Sequence, residues 1–167
     1  MTDHQKIVQE IIPAKLKEIE SRENIRVIHC VESGSRAWGF ASPDSDYDVR
    51  FIYVRPLEYY LRLDKTRDVI EWQLDDTLDI NGWDLQKALR LLHSSNPTLF
   101  EWNNSPIIYK TTPQWAAVSE IIGDFFQKKA MTLLRNFMKN QNFVKIKISF
   151  ANLEKRHRRQ LVWHIQI

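Results

Sequence analysis

Apolar residues recur at Ile7, Ile11, Ile12, Leu16 and Ile19. This three-and-four spacing predicts an amphipathic helix over 4–21, kinked or broken at Pro13. The period then shortens. Residues 26–32 form an apolar run that predicts a first strand, and Val49, Phe51, Ile52, Tyr53 and Val54 place a second over 47–54, stopped before Pro56. Between them Gly34-Ser35 marks a turn, followed by a short helix around Arg36–Phe40 that Ser42-Pro43-Asp44 ends. Leu57, Tyr60, Leu61 and Leu63 suggest another short helix. Val69, Ile70 and Trp72 predict a third strand, and residues 77–82 a fourth.

Beyond these strands the helical period returns. Asp84 is suited to capping a helix that holds Leu85, Leu89, Leu91 and Leu92 and ends near Ser94-Ser95-Asn96-Pro97. A shorter helix carries Leu99, Phe100 and Trp102, residues 107–109 read as extended, and from Gln114 the pattern is helical again. The order predicts an α+β fold, a small mixed sheet flanked by helices with a helical C-terminal part. The stretch Pro106–Pro113 is the best boundary. It divides the chain into 1–112, a helical part over 113–147 and a basic tail over 148–167.

Composition narrows the class. The chain has 167 residues, 43% of them apolar, with eight Phe, six Trp and five Tyr, enough for a real core. No run of about 18 apolar residues occurs and the N-terminus has no signal-peptide pattern, so a cytoplasmic protein outside the membrane is expected. Cys30, a single cysteine inside an apolar strand, excludes an internal disulfide and reads as a buried small hydrophobe. The net charge of +3 is unevenly spread. Residues 127–167 carry ten Lys or Arg and one acid, the rest fourteen and twenty, so +9 follows −6. A basic arm of this kind fits nucleic acid, and equally a solvated face.

The chemistry is concentrated at residues 33–48. Asp46 and Asp48 lie two apart at a strand start and so project from one face. Carboxylates placed this way repel unless cations sit between them, and Mg²⁺ prefers such hard oxygen ligands. Gly34 lets the backbone approach a phosphate, and Ser35 offers a hydroxyl and an amide. Arg50 falls on the same face by alternation and suits either a phosphate or the carboxylates themselves. No Gly-x4-Gly-Lys-Ser/Thr occurs, which excludes a P-loop enzyme. The lack of His-Glu-x-x-His or paired Cys-x-x-Cys argues against zinc. His29 reads as a core or edge residue, and Trp38 and Trp83 as core packing ahead of base stacking.

Gly34-Ser35, Gly39 and Ser45-Asp46-Tyr47-Asp48 together resemble the signature of the DNA-polymerase-β-like nucleotidyltransferase superfamily. The longer stretches Val31–Phe40, Asp48–Tyr53, Asp79–Leu89 and Asn96–Tyr109 resemble its RNA-repair-pathway (RlaP-like) branch, over about residues 6–147. The resemblance implies a nucleotidyltransferase that moves a nucleoside monophosphate from an NTP to an acceptor hydroxyl, an RNA end, and releases pyrophosphate. It implies Mg²⁺ (or Mn²⁺) held by Asp46, Asp48 and a third acid from a later strand. Asp79 is the first choice for that acid, with Asp84 and Glu71 as rivals. Gly34, Ser35, Arg36 and Lys87 are the implied nucleotide- and phosphate-binding residues, and Glu101 a candidate for orienting substrate. Asn at position 46 or 48 is expected to abolish transfer and, by removing repulsion, to stabilise the metal-free protein slightly.

The branch continues past a Val-Lys-Ile-Lys-like segment with further helices, whereas residues 148–167 here do not resemble that continuation. A truncated reading frame with an out-of-frame end is therefore expected. The alternative function is a catalytically inactive nucleotide- or RNA-binding module, or an antitoxin-like partner, on the same scaffold.

Overall fold

A computed structural model describes residues 3–42, 45–64, 66–73 and 77–125. The helical part beyond 125 and the basic tail over 148–167 lie outside the described residues. Helix α1 (Asp3–Lys6), a π-turn (Ile7–Ile11) and helix α2 (Ile12–Glu23) follow one another in the N-terminal segment. Of the expected kink or break at Pro13, the break does not occur and a wider turn precedes the proline: the amide of Ile12 donates to the Ile7 carbonyl, five residues back. Proline lacks a backbone donor and its ring crowds the preceding turn, so a π-turn just ahead of it keeps the segment helical. Asn24, in the left-handed conformation at φ 49°, ends α2 with its amide on the Glu20 carbonyl.

Among the described residues five strands form one mixed sheet: β1 (Arg26–Ser33), β2 (Tyr47–Val54), β3 (Val69–Gln73), β4 (Leu78–Asp84) and β5 (Ile108–Thr111). Their spatial order is β3-β4-β2-β1-β5. Only β2 and β4 run parallel; the other neighbours are antiparallel. Short helices α3 (Gly34–Ala37) and α4 (Leu57–Tyr60) follow β1 and β2, while α5 (Leu85–His93) and α6 (Pro97–Asn103) follow β4. Residues 113–125 are helical.

Both faces of the sheet are covered. Ile12, Leu16 and Ile19 of α2 pack on Val27, Val49, Phe51, Tyr53 and Ile80. Ile28, Val31 and Ile52 face the other way, against Ala88, Leu92, Leu99, Trp102, Trp115 and Ile122. This explains why β1 shows a nearly continuous buried run instead of alternation. It also shows that the helix over 113–125 packs on the sheet through Trp115 and Ile122.

His29 sits against that second core, stacked on Trp115 at 4.5 Å between ring centroids and buried. Burial holds the imidazole neutral and brings its pKa from 6.5 down to about 4. The unfolded chain takes up a proton at the ordinary pKa while the folded chain does not, so stability is full above about pH 6.5 and falls as pH drops towards 4. A loss of about 2 kcal/mol is expected between pH 7.5 and 5. Urea midpoints at the two pH values should show it, and His29→Phe should remove that part of the slope.

Candidate active site

The β2–β4 pairing builds the centre of the site. Parallel register sets Asp48 opposite Asp79 and Arg50 opposite Asn81, so these four side chains rise from one face. One guanidinium nitrogen, Nη2 of Arg50, donates to Oδ1 of Asp48 at 2.7 Å and to Oδ2 of Asp79 at 2.7 Å. Its other terminal nitrogen donates to the main-chain carbonyls of Asp79 at 3.1 Å and Val49 at 3.3 Å. Arg50 is 16% exposed, Asp48 31% and Asp79 47%. The two acids therefore converge at the mouth of the site around a cation that the chain itself supplies. Asp46, just ahead of β2, is exposed. Among the described residues no three His, Cys, Asp or Glu side chains are grouped to hold a metal ion.

The turn after β1 lies against this pair. Ser33 is the register partner of Asp48, and Gly34 then adopts φ +62°. A side chain on Gly34 would overlap the Asp48 carboxylate, its Cβ lying 3.0 Å from Cγ and closer still to Oδ2. Glycine is thus required twice, for its backbone angle and for the space it leaves. The helix α3 starts at Gly34, earlier than the apolar pattern indicated, and no side chain caps its first turn. The Ser33 hydroxyl donates instead to Glu101 of α6 at 3.3 Å, and the Trp38 indole N–H to the same carboxylate at 3.1 Å. Glu101 therefore fastens the Gly-Ser segment to α6.

Arg36 reaches across to the loop that carries Asp46. Its Nε donates to the Asp46 carbonyl at 2.9 Å, a second nitrogen to the Ser45 carbonyl, and the guanidinium lies 4.0 Å from the Tyr47 ring centroid. Its charge braces the acidic segment against α3. Lys87 is not brought to the acids. It lies on α5, beyond the opposite end of β4 from Asp79, and pairs with Asp68 at 3.6 Å.

The rival acids are placed elsewhere as well. Asp84 is five residues along β4 from Asp79, about 17 Å at strand rise, and buried. It caps α5 by accepting the Gln86 amide at 2.8 Å and also accepts the Tyr60 hydroxyl at 2.9 Å. Glu71 is exposed on the outer strand β3 and pairs with Arg67 at 3.8 Å. Trp83 stacks on Trp102 at 3.9 Å between centroids, inside the packing of the helical face, whereas Trp38 is 45% exposed beside the turn.

Sequence reading overlooked Glu32. Its side chain is fully buried, yet one carboxylate oxygen accepts the Asp48 amide at 2.8 Å and the other the Tyr109 hydroxyl. It joins the ends of β1 and β5 to the residue that bears the central acid. Burial pushes its pKa up, opposed by those two hydrogen bonds. A lone acid in an otherwise apolar strand, two residues before a Gly-Ser turn, was the available signal.

A profile of the RNA repair pathway DNA polymerase beta family matches residues 8–147. Over 95 residues the chain is 56% identical to the uncharacterized protein YcgL of Bacillus subtilis (strain 168), an overlap of 57% of this chain and 36% of that protein. The chain thus spans about a third of the length of that relative. No solved structure matches it. No helix among the described residues is long and apolar enough to cross a membrane.

Proposed function

Because the chain belongs to the RNA repair pathway DNA polymerase beta family, we propose that it is a metal-dependent nucleotidyltransferase. The reaction moves a nucleoside monophosphate from an NTP to an acceptor hydroxyl, an RNA end, and releases pyrophosphate. The observation that carries this reading is the pairing of Asp48 with Asp79. Two carboxylates from neighbouring parallel strands meet around one positive charge, beside a turn whose glycine leaves them room.

The donor set fits Mg²⁺ (or Mn²⁺), since carboxylate oxygens at a solvent-facing strand end are the hard ligands these ions prefer. Asp48 and Asp79 would hold the ions, with Asp46 the third ligand from the exposed loop. Bound there, the ions supply charge neutralisation on the triphosphate and acidify the attacking hydroxyl. The chain's own groups do the positioning. The uncapped amides of Gly34 and Ser35 are free of any side-chain cap and suit the terminal phosphates. Glu32 fixes the Asp48 backbone from beneath, Arg36 fixes the Asp46 loop, and Glu101 fixes the turn. In this reading residues 1–112 form the catalytic unit, and the helix over 113–125 packs on its sheet through Trp115 and Ile122.

The test is incubation of the full chain with Mg²⁺ and each labelled NTP, with an RNA 3′ end, DNA or no acceptor. Incorporation into RNA with pyrophosphate release is the expected result. Nucleotide binding without transfer in any arm would favour the inactive binding module instead, and incorporation only into protein would replace RNA as the acceptor.

A further inference from the structure

Arg50 carries more than the charge balance of a strand pair. Its guanidinium does not release its proton in a protein, so it cannot be neutralised to make way for another cation. It can only move. The nitrogen it presents lies within 2.7 Å of both acids, so an ion bound by those two oxygens would occupy the same space. The exchange is favourable in charge: two carboxylates facing one positive charge keep a net negative charge that a divalent ion cancels. It also strands Arg50. A guanidinium left on the same face beside a doubly charged ion is repelled unless an anion joins it, and planar guanidinium is well suited to bidentate contact with phosphate.

We propose that Arg50 is the resident counter-ion of the metal seat. It fills the gap between Asp48 and Asp79 in the metal-free protein, leaves when a divalent cation enters, and then takes a nucleotide phosphate as its partner. Cation and nucleotide consequently bind together, each weakly alone. This deepens the reading of the site given above and rests on it. It accounts for the lack of a ready-made metal cluster among the described residues, because the acids are arranged around the guanidinium. It also assigns Arg50 a second position, a positive charge on phosphate beside the amides of Gly34 and Ser35, that the other two predicted basic residues do not provide: Lys87 pairs with Asp68 and Arg36 is tied to the Asp46 loop.

Manganese binding by the full chain, followed by the loss of the free Mn²⁺ electron paramagnetic resonance signal, tests this without reference to turnover. Wild-type protein should bind Mn²⁺ weakly alone and markedly more tightly with a non-hydrolysable NTP analogue. Removing a charge in contact with a carboxylate changes its affinity for another cation by about one to three decades. Arg50→Gln should therefore bind Mn²⁺ alone at least about tenfold more tightly, and the gain from adding nucleotide should shrink. Equal or weaker Mn²⁺ binding by a folded Arg50→Gln overturns the proposal.

Arg50 also holds two main-chain carbonyls, so a measurement on the unmodified chain guards against a variant that fails to fold. Phenylglyoxal labelling mapped by peptide mass spectrometry should find Arg50 protected in metal-free protein, labelled faster with Mn²⁺ alone, and protected again when nucleotide is added. Mn²⁺ binding that leaves the Arg50 labelling rate unchanged overturns this inference and leaves the metal-dependent reading standing. Failure to bind Mn²⁺ with or without nucleotide brings both down.

Discussion

Asp48→Asn is expected to lower nucleotide transfer by at least about a thousandfold, equivalent to about 4 kcal/mol of transition-state stabilisation, in a protein that still folds. Asp48 is the acid on which the whole site converges. It is directly opposite Asp79, its backbone is held by buried Glu32, and the Gly34 turn is shaped to its carboxylate. Asparagine keeps the shape and one oxygen but removes the negative charge. The geometry corrects one expectation from sequence. Asp48 is not facing an unrelieved like charge in the metal-free protein, because Arg50 sits between it and Asp79. The substitution therefore removes an ion pair, and stability should fall by up to about 1 kcal/mol for so partly exposed a pair. Steady-state transfer with a labelled NTP, alongside a urea melt, separates the two effects. Transfer within tenfold of wild type would remove Asp48 from the metal-binding role.

Gly34→Ala should have the second-largest effect, and it reaches the same carboxylate from the other side. Alanine at φ +62° costs about 1–2 kcal/mol for the left-handed conformation alone. The added methyl group also overlaps Asp48, so the carboxylate must rotate away or the turn must open. A total destabilisation of about 2–4 kcal/mol is expected, with transfer lost at least a hundredfold through displacement of the acid. The control is Gly39→Ala. Gly39 also has positive φ, but a Cβ there meets nothing within 4 Å, so it should show the backbone penalty without the loss of transfer. Equal activity losses in the two variants would mean that backbone strain, not the Asp48 contact, is what matters at Gly34.

Much of this architecture is legible from local pattern. Alternation in Leu78–Asp84 and the apolar runs of β1 and β2 follow from which faces are covered, and the order of elements gives the α+β class. Asp84 is recognisable as a cap, and its side chain accepts the Gln86 amide two residues on at 2.8 Å. Asn96 caps α6 in the same way, at 2.9 Å from the Thr98 amide, which the sequence reading did not anticipate. The π-turn before Pro13 was not legible. A proline announces that a helical hydrogen bond is missing but not whether the helix breaks or widens, and here packing of Ile12, Leu16 and Ile19 on the sheet favours widening. Glu32 was missed for a related reason: its partners, the Asp48 amide and Tyr109, are 16 and 77 residues away.

What sequence alone determined is the chemistry within a few residues of itself: a glycine turn, an acid at Asp48 on the strand that follows, and an arginine on that same face. Turn geometry and the two-residue period of a strand are short-range properties, so neighbours in the chain suffice to state them. Which distant side chains would join them was decided only when β4 took its place beside β2 in parallel register. That single alignment set Asp79 opposite Asp48, carried Asp84 and Lys87 to the far end of the sheet, and closed both acids on Arg50. The register of that pairing is fixed by which side chains are buried on each face of the sheet, a property of the assembled core and of no one segment.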